Sequence, residues 1–278
     1  MKNIKEIARE LKDGITVPYL GLEVFKGAKA ENGEPIPFDN DSLIIAVNNK
    51  RAMSPRLMFE ASRAFMYLEQ KKGRRYIEGM HHLIFNNNFE PLKIHKLLTK
   101  MNLNYIIDTN LDTKLSNLYS DRNHILIIGI ARITAEFDRF EIYKFDKDTK
   151  EYLLIEKESI DLSLPIIFKP LGTFEPKDSL IISDADYVDW LTEAMGGFAI
   201  PPKIKEYRKG KKYLFFGVPF SRDTNRMVAN EITIDLDGGY VLLTTEPTKK
   251  ELKFIEKHNL EIIDKSLDEF ITELEKEI

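Results

Sequence analysis

Three places in this 278-residue chain put acids, amides or glycines directly after short apolar runs. Tyr105-Ile106-Ile107 leads into Asp108-Thr109-Asn110 with Asp112 close behind, Leu164 to Phe168 leads into Lys169-Pro170-Leu171-Gly172-Thr173, and Tyr213 to Phe216 leads into Gly217, followed by Asp223. In an open α/β sheet, ligands bind beyond the carboxyl ends of the strands, where polar residues and glycines let a nucleotide approach the backbone. Asp108, Thr109, Asn110, Gly172, Thr173 and Gly217 are therefore expected to line one crevice. A local role competes with that reading: Asx residues favour strand ends anyway, Asp108 as a helix cap and Asn110 through bonds to loop backbone.

Other chemistry-bearing groups are more isolated. Glu78-Gly79-Met80-His81 has the Glu-x-x-His spacing of carboxylate-bridged metal sites, but such sites need a second pair and two further carboxylates, so no metal is expected. Asp184-Ala185-Asp186 follows Ser183 and precedes Tyr187, Val188, Trp190 and Leu191, which reads as a capped helix start with acids favourably placed on the dipole. His124, before an apolar run, is expected to pack or face solvent, and His95, among Leu92, Ile94, Leu97, Leu98 and Met101, is expected on a helix surface.

The elements that hold these groups follow from periodicity. Continuous apolar runs at Leu43 to Val47, Tyr105 to Ile107, Ile125 to Ile128, Leu164 to Phe168, Tyr213 to Phe216, Val241 to Thr244 and Leu260 to Ile263 read as strands covered on both faces. Helical patterns separate them. Ser54-Pro55 opens a helix carrying Leu57, Met58, Ala61, Ala64, Phe65 and Leu68 on one face until Gly73, and Thr248 with Glu251 and Ser266 with Glu269 have capping-box spacing. Ile125 to Ile133, Arg139 to Phe145 and Tyr152 to Ile155 read as consecutive strands, giving an antiparallel insertion at 122–160. The expected architecture is a single α/β domain over 1–278 with a Rossmann-like, mostly parallel sheet, helices on both faces and an inserted antiparallel hairpin region.

Composition narrows the setting. A net charge of −4 leaves no broad basic footprint, so nucleic acid is not an expected partner. With no cysteine the chain forms no disulfide or thiolate metal site, which fits a cytoplasmic protein. No apolar run approaches the roughly 20 residues of a membrane span, and Met1 to Gly14 is charged and amphipathic, so no membrane role is expected. Met195-Gly196-Gly197-Phe198-Ala199-Ile200-Pro201-Pro202 combines double glycine, apolar residues and double proline in a rigid strip suited to a protein partner or to covering a sheet edge, with Arg208, Arg222 and Arg226 as nearby positive charge.

Tyr105 to Asp112 resembles the Ile-Ile-Thr-Thr-Asn-Tyr-Asp segment of the SIR2-like family, the bacterial relatives of sirtuins. In the same order, Pro165 to Thr173 resembles the strand that carries that family's catalytic His, Asp178 to Tyr187 its Ser-Leu-Val-Leu-Thr-x-x-Asp-Tyr segment, Tyr213 to Asp223 its late glycine turn, and Asn259 to Leu274 its closing strand and helix. The resemblance spans roughly Leu92 to the C-terminus and implies NAD or ADP-ribose as the ligand, Asn110 as the residue that positions a water or ribose, and Asp112 in support. The family's Lys-Leu-His-Gly-Ser reads Lys-Pro-Leu-Gly-Thr here, so Leu171 stands in place of the base. Loss of a general base typically costs on the order of 100- to 10,000-fold. If Gly21 matches the first glycine of the family's early Gly-Ala-Gly-Val-Ser loop, Glu23 replaces the second and Phe25 the serine, putting bulk and negative charge where pyrophosphate would sit. The resemblance thus implies a catalytically degenerate relative acting as a regulatory or accessory factor through a protein partner or homo-oligomer, its cofactor-site candidates being Gly21, Thr109, Asn110, Gly172, Thr173, Gly217 and Asp223. The alternatives are an NAD-cleaving enzyme of the phage-defence type with its base supplied elsewhere, or repurposed chemistry using Asp108, Asp112 or Glu23 as acid or base.

Overall fold

The structure, a computed structural model, describes residues 4–86, 89–134 and 137–278. Its strands are β1 (Thr16–Leu20), β2 (Tyr105–Asp108), β3 (His124–Gly129), β4 (Phe140–Asp146), β5 (Glu151–Leu154), β6 (Ile166–Lys169), β7 (Gly172–Thr173), β8 (Ser179–Leu180), β9 (Lys212–Phe216), β10 (Gly239–Leu242) and β11 (Leu260–Ile262). Nine of them form one sheet in the order β11-β10-β9-β1-β2-β6-β3-β4-β5, parallel from β11 to β3 and antiparallel thereafter, while β7 and β8 pair separately. Every residue of β1, β2, β3 and β6 is buried. That accounts for their unbroken apolar runs, since a strand covered on both faces has no solvent side on which to alternate. The fold is Rossmann-like α/β. Within 122–160, β3 is a full member of the parallel sheet beside β6, and only β4 and β5 make the antiparallel excursion.

Two readings need correction. Leu43 to Val47 is not a strand but lies in the helix Asn40–Val47: Asp39 accepts a 2.7 Å bond from the Ser42 amide, and this cap decides an apolar run too short to declare its own period. The helix expected from Ser54 to Gly73 is two, Pro55–Met58 and Ala61–Lys72, broken at Glu60 in an extended conformation. Glu60 is buried, its carboxylate accepting from the Thr224 hydroxyl and the Asp223 amide. Gly73 ends the second helix at φ +86.

With Arg74–Phe85, these helices roof the carboxyl end of the sheet. One buried carboxylate latches the roof. Asp186, at the start of the helix Asp184–Met195, bonds the Ile182 and Ser183 amides and pairs with Arg74 at 2.6 Å and Arg132 at 2.7 Å. Arg74 also donates to Leu180 O, and Arg132 reaches back to Glu69. Asp184-Ala185-Asp186 is therefore a cap and a latch. Asp186→Ala should cost about 2–3 kcal/mol, allowing for the partial exposure of both arginines. Urea denaturation tests this, and a change below about 0.5 kcal/mol, the scale of an ordinary surface substitution, would refute the latch.

Candidate functional site

The ends of β1, β2, β6 and β9 surround one pocket, under the roof helices and against the starts of Asp184–Met195 and Asp223–Ile232. It encloses about 110 Å³, with Tyr19, Gly21, Thr109, Asn110, Leu111, Leu171 and Val218 from the sheet and Phe65, His81, Phe85 and Tyr187 from the helices. Glu60, Arg222 and Thr224 also line it, Arg222 donating to Phe59 O. Its place beside β1, between β2 and β9, is the topological crevice in which such sheets bind ligands.

Asp108, at the end of β2 and fully buried, organises the floor. Its Oδ2 accepts a 2.7 Å bond from Lys169, the last residue of β6 and itself buried. Its Oδ1 accepts from the Asn110 amide and from Asn110 Nδ2, both at 3.0 Å. Asn110 Nδ2 also reaches Gly21 O at 3.3 Å. Two acceptors on one side settle the orientation of the carboxamide, because only the NH₂ group can serve them. Asn110 Oδ1 is left as an acceptor with no partner among the described residues, on a side chain that lines the pocket.

Of the residues expected at the crevice, Gly21, Thr109, Asn110 and Leu171 line the pocket. Asp108 supports it from behind, while Asp112, Gly172, Thr173, Gly217 and Asp223 stand outside its wall. Gly172 has φ +87, and a Cβ there would collide with Ser179 O, so β7–β8 pairing demands this glycine. Thr173 donates to Leu111 O, and Asp223 pairs with Arg226 and with Lys250. Asp112 is buried, with Oδ1 on the Lys114 amide.

His95 corrects an expectation. It is buried, not on a helix surface, and burial pushes its pKa down against the opposing pull of Asp112 and Asp108. His124 is a packing residue, stacked on Phe145 at 4.8 Å and bonded to the Tyr152 hydroxyl.

The early loop is not a phosphate cradle. The Gly21 amide donates to Phe216 O and the Glu23 amide to Gly217 O, each at 2.9 Å, while the Val24 and Lys26 amides close a 3₁₀ turn. A Cβ on Gly21 would lie 2.5 Å from Gly217 O, and one on Gly217, which has φ +58, would lie 2.7 Å from the Val24 amide. Both glycines are thus required by the close interlock of the loops after β1 and β9. Glu23 bonds Thr244 at 2.6 Å, outside the pocket, and burial raises its pKa. The expected positive patch is likewise consumed internally: Arg208 is buried against the carbonyls of Glu231 and Ile232, and Arg226 donates to Phe220 O.

Sequence reasoning missed His81, Tyr19 and Tyr187. The Glu-x-x-His spacing drew attention to His81 for the wrong reason, since Glu78 pairs with Arg74. Its Nδ1 donates 2.7 Å to Ile77 O, whereas Nε2 is buried without a partner among the described residues. Tyr19 lies in β1 and Tyr187 in the helix Asp184–Met195, and nothing in their spacing tells that both line the pocket.

Residues 104–263, more than half of the chain, match the SIR2-like domain, and the chain belongs to that family. No curated protein sequence matches it.

Two outcomes follow from this geometry. Gly172→Ala should lower stability by more than about 2 kcal/mol in denaturant titrations, because φ is left-handed and the Cβ clashes; a neutral effect would return Gly172 to the ligand-approach role. Burial lowers the His81 pKa from 6.5 to about 4. The unfolded chain therefore binds the extra proton between those values, so stability is full above pH 6.5 and lost as pH falls towards 4. Replacing the ring with Gln should shrink the stability difference between pH 7 and pH 5 by about 2 kcal/mol. An unchanged slope would show that His81 is not held neutral.

Proposed function

We propose that this SIR2-like protein has lost the NAD-cleaving reaction its resemblance implies and works as a regulatory or accessory factor that senses a small ligand and acts through protein contacts. The observation that carries the reading is the pair of losses around one pocket: Leu171 forms the wall where the family's base would stand, and the amides that would cradle pyrophosphate donate to Phe216 O and Gly217 O. An aliphatic side chain accepts no proton, and an amide already paired offers none to a phosphate. The pocket is also small. Sites that engulf a drug-sized ligand enclose roughly 300–1,000 Å³, against about 110 Å³ here. These residues do not fit a whole dinucleotide.

The repurposed-chemistry alternative gains no support from the carboxylates named for it. Both oxygens of Asp108 are engaged, Asp112 stands outside the pocket wall, and Glu23 bonds Thr244. A contact role is supported by the strip Met195 to Pro202, where Met195 and Phe198 are exposed and Phe198 packs beside the exposed Phe137 at 5.6 Å. The strip is anchored by the Arg139 amide on Phe198 O, and its Ala199 and Ile200 are buried.

Purified protein incubated with millimolar NAD should release no nicotinamide and show no thermal shift, whereas a binder at 100 times its dissociation constant gains about 2.7 kcal/mol. Nicotinamide release that disappears in Asn110→Ala would overturn the proposal.

A further inference from the structure

The pocket holds a polar group that the family resemblance does not account for. His81, on the helix Arg74–Phe85, is 1% exposed and lines the cavity. Ile77 O can only accept, so the 2.7 Å bond fixes the proton on Nδ1 and leaves the lone pair on Nε2. That nitrogen is buried and unpartnered among the described residues. An unsatisfied buried acceptor costs on the order of 1–3 kcal/mol. A phenylalanine would fill the space without that cost, since the ring already packs edge-on to Phe65 at 4.8 Å and lies beside Phe85. The imidazole stays neutral near pH 7 because burial disfavours its charged form.

Asn110 brings a second acceptor to the same cavity through Oδ1, its NH₂ being committed to Asp108 and Gly21. Around them the lining is mixed: the rings of Tyr19, Phe65, Phe85 and Tyr187 and aliphatic side chains such as Leu171 and Val228 stand beside Glu60, Arg222 and Thr224, whose polar groups are bonded within the protein, while the Tyr19 and Tyr187 hydroxyls make no hydrogen bond among the described residues. The size is instructive: an apolar cavity of about 150 Å³ holds one benzene, and this one encloses about 110 Å³.

We propose that His81 Nε2 and Asn110 Oδ1 form a pair of hydrogen-bond acceptors that selects a single small, neutral ring carrying an O–H or N–H donor. This rests on the small-ligand reading of the pocket and assigns the ligand's chemistry. A carboxylate would set lone pair against lone pair at these two acceptors, and Arg222, the cation in the lining, already donates to Phe59 O; a ring without a donor would leave both acceptors unpaired and bind more weakly.

Phenol, toluene and benzoate test it, being rings of one size that differ in donor and charge. With protein labelled with ¹⁵N-histidine, phenol should bind and move the His81 Nε2 resonance, toluene should bind more weakly and leave it in place, and benzoate should not bind. His81→Phe should weaken phenol about tenfold, the equivalent of one hydrogen bond, and leave toluene unchanged. Phenol binding with an unmoved Nε2, or with equal affinity for both proteins, would overturn the assignment of His81 while the small-ligand reading stands. Failure of all three probes to bind the wild-type protein at millimolar concentration would overturn both.

Discussion

The carboxylate of Asp108 is the interaction on which the site depends. It joins the ends of two neighbouring strands, β2 through its own backbone and β6 through Lys169, and it holds Asn110 by both the main-chain amide and the side chain. A fully desolvated ion pair is weak evidence for stability, because the desolvation of both charges offsets their attraction. Its value here is directional. Removing either partner would leave a bare charge in the sheet, and removing Asp108 would also leave the carboxamide held only by Gly21 O, so the acceptor that Asn110 shows to the pocket exists because Asp108 occupies its donors.

Around that fixed floor, the roof is attached by charges and the wall by close packing. The Arg74 and Arg132 pairs to Asp186 bring the helices 40–85 over the strand ends, and with them come Phe65, His81 and Phe85. The pocket is therefore shared between a floor inherited with the SIR2-like fold and a roof drawn from the segment that precedes the matched residues 104–263. Polar groups without partners occur on both sides of that seam, Asn110 Oδ1 below and His81 Nε2 above.

How much of this was legible in the sequence varied with the range of the interaction. The buried strands β2, β3, β6 and β9 read correctly because a strand covered on both faces must be apolar throughout, whereas β1, interrupted by Pro18, was not among the runs picked out; Asn110 and Leu171 stood out because chemistry gathers at strand ends. Leu43 to Val47 did not read correctly, since its helical state is set by the Asp39 cap more than by its own pattern. Gly172 and Gly217 looked like ligand-approach glycines but answer to backbone neighbours, Ser179 across the β7–β8 hairpin in one case and the sequence-distant Glu23 and Val24 in the other. His81 and His95 were illegible for the same reason: whether a helical histidine faces solvent, an acid or a cavity depends on what lies opposite. For His95 that is Asp112, and for His81 an aromatic hollow.

The interlocked loops after β1 and β9 bear on what it would take to build a phosphate cradle in this protein. Placing an imidazole at position 171 is a single substitution, but it would face a loop whose amides are tied to Phe216 and Gly217, with Gly21 pressed against Gly217 O and Gly217 against the backbone of Glu23 and Val24. Opening a phosphate cradle there means separating two strand ends, which no one-residue change does, and each intermediate would lose backbone bonds before gaining a ligand. Stepwise change at these loops therefore has to cross a valley of less stable proteins. The closure works as a ratchet that holds the cavity in its present form.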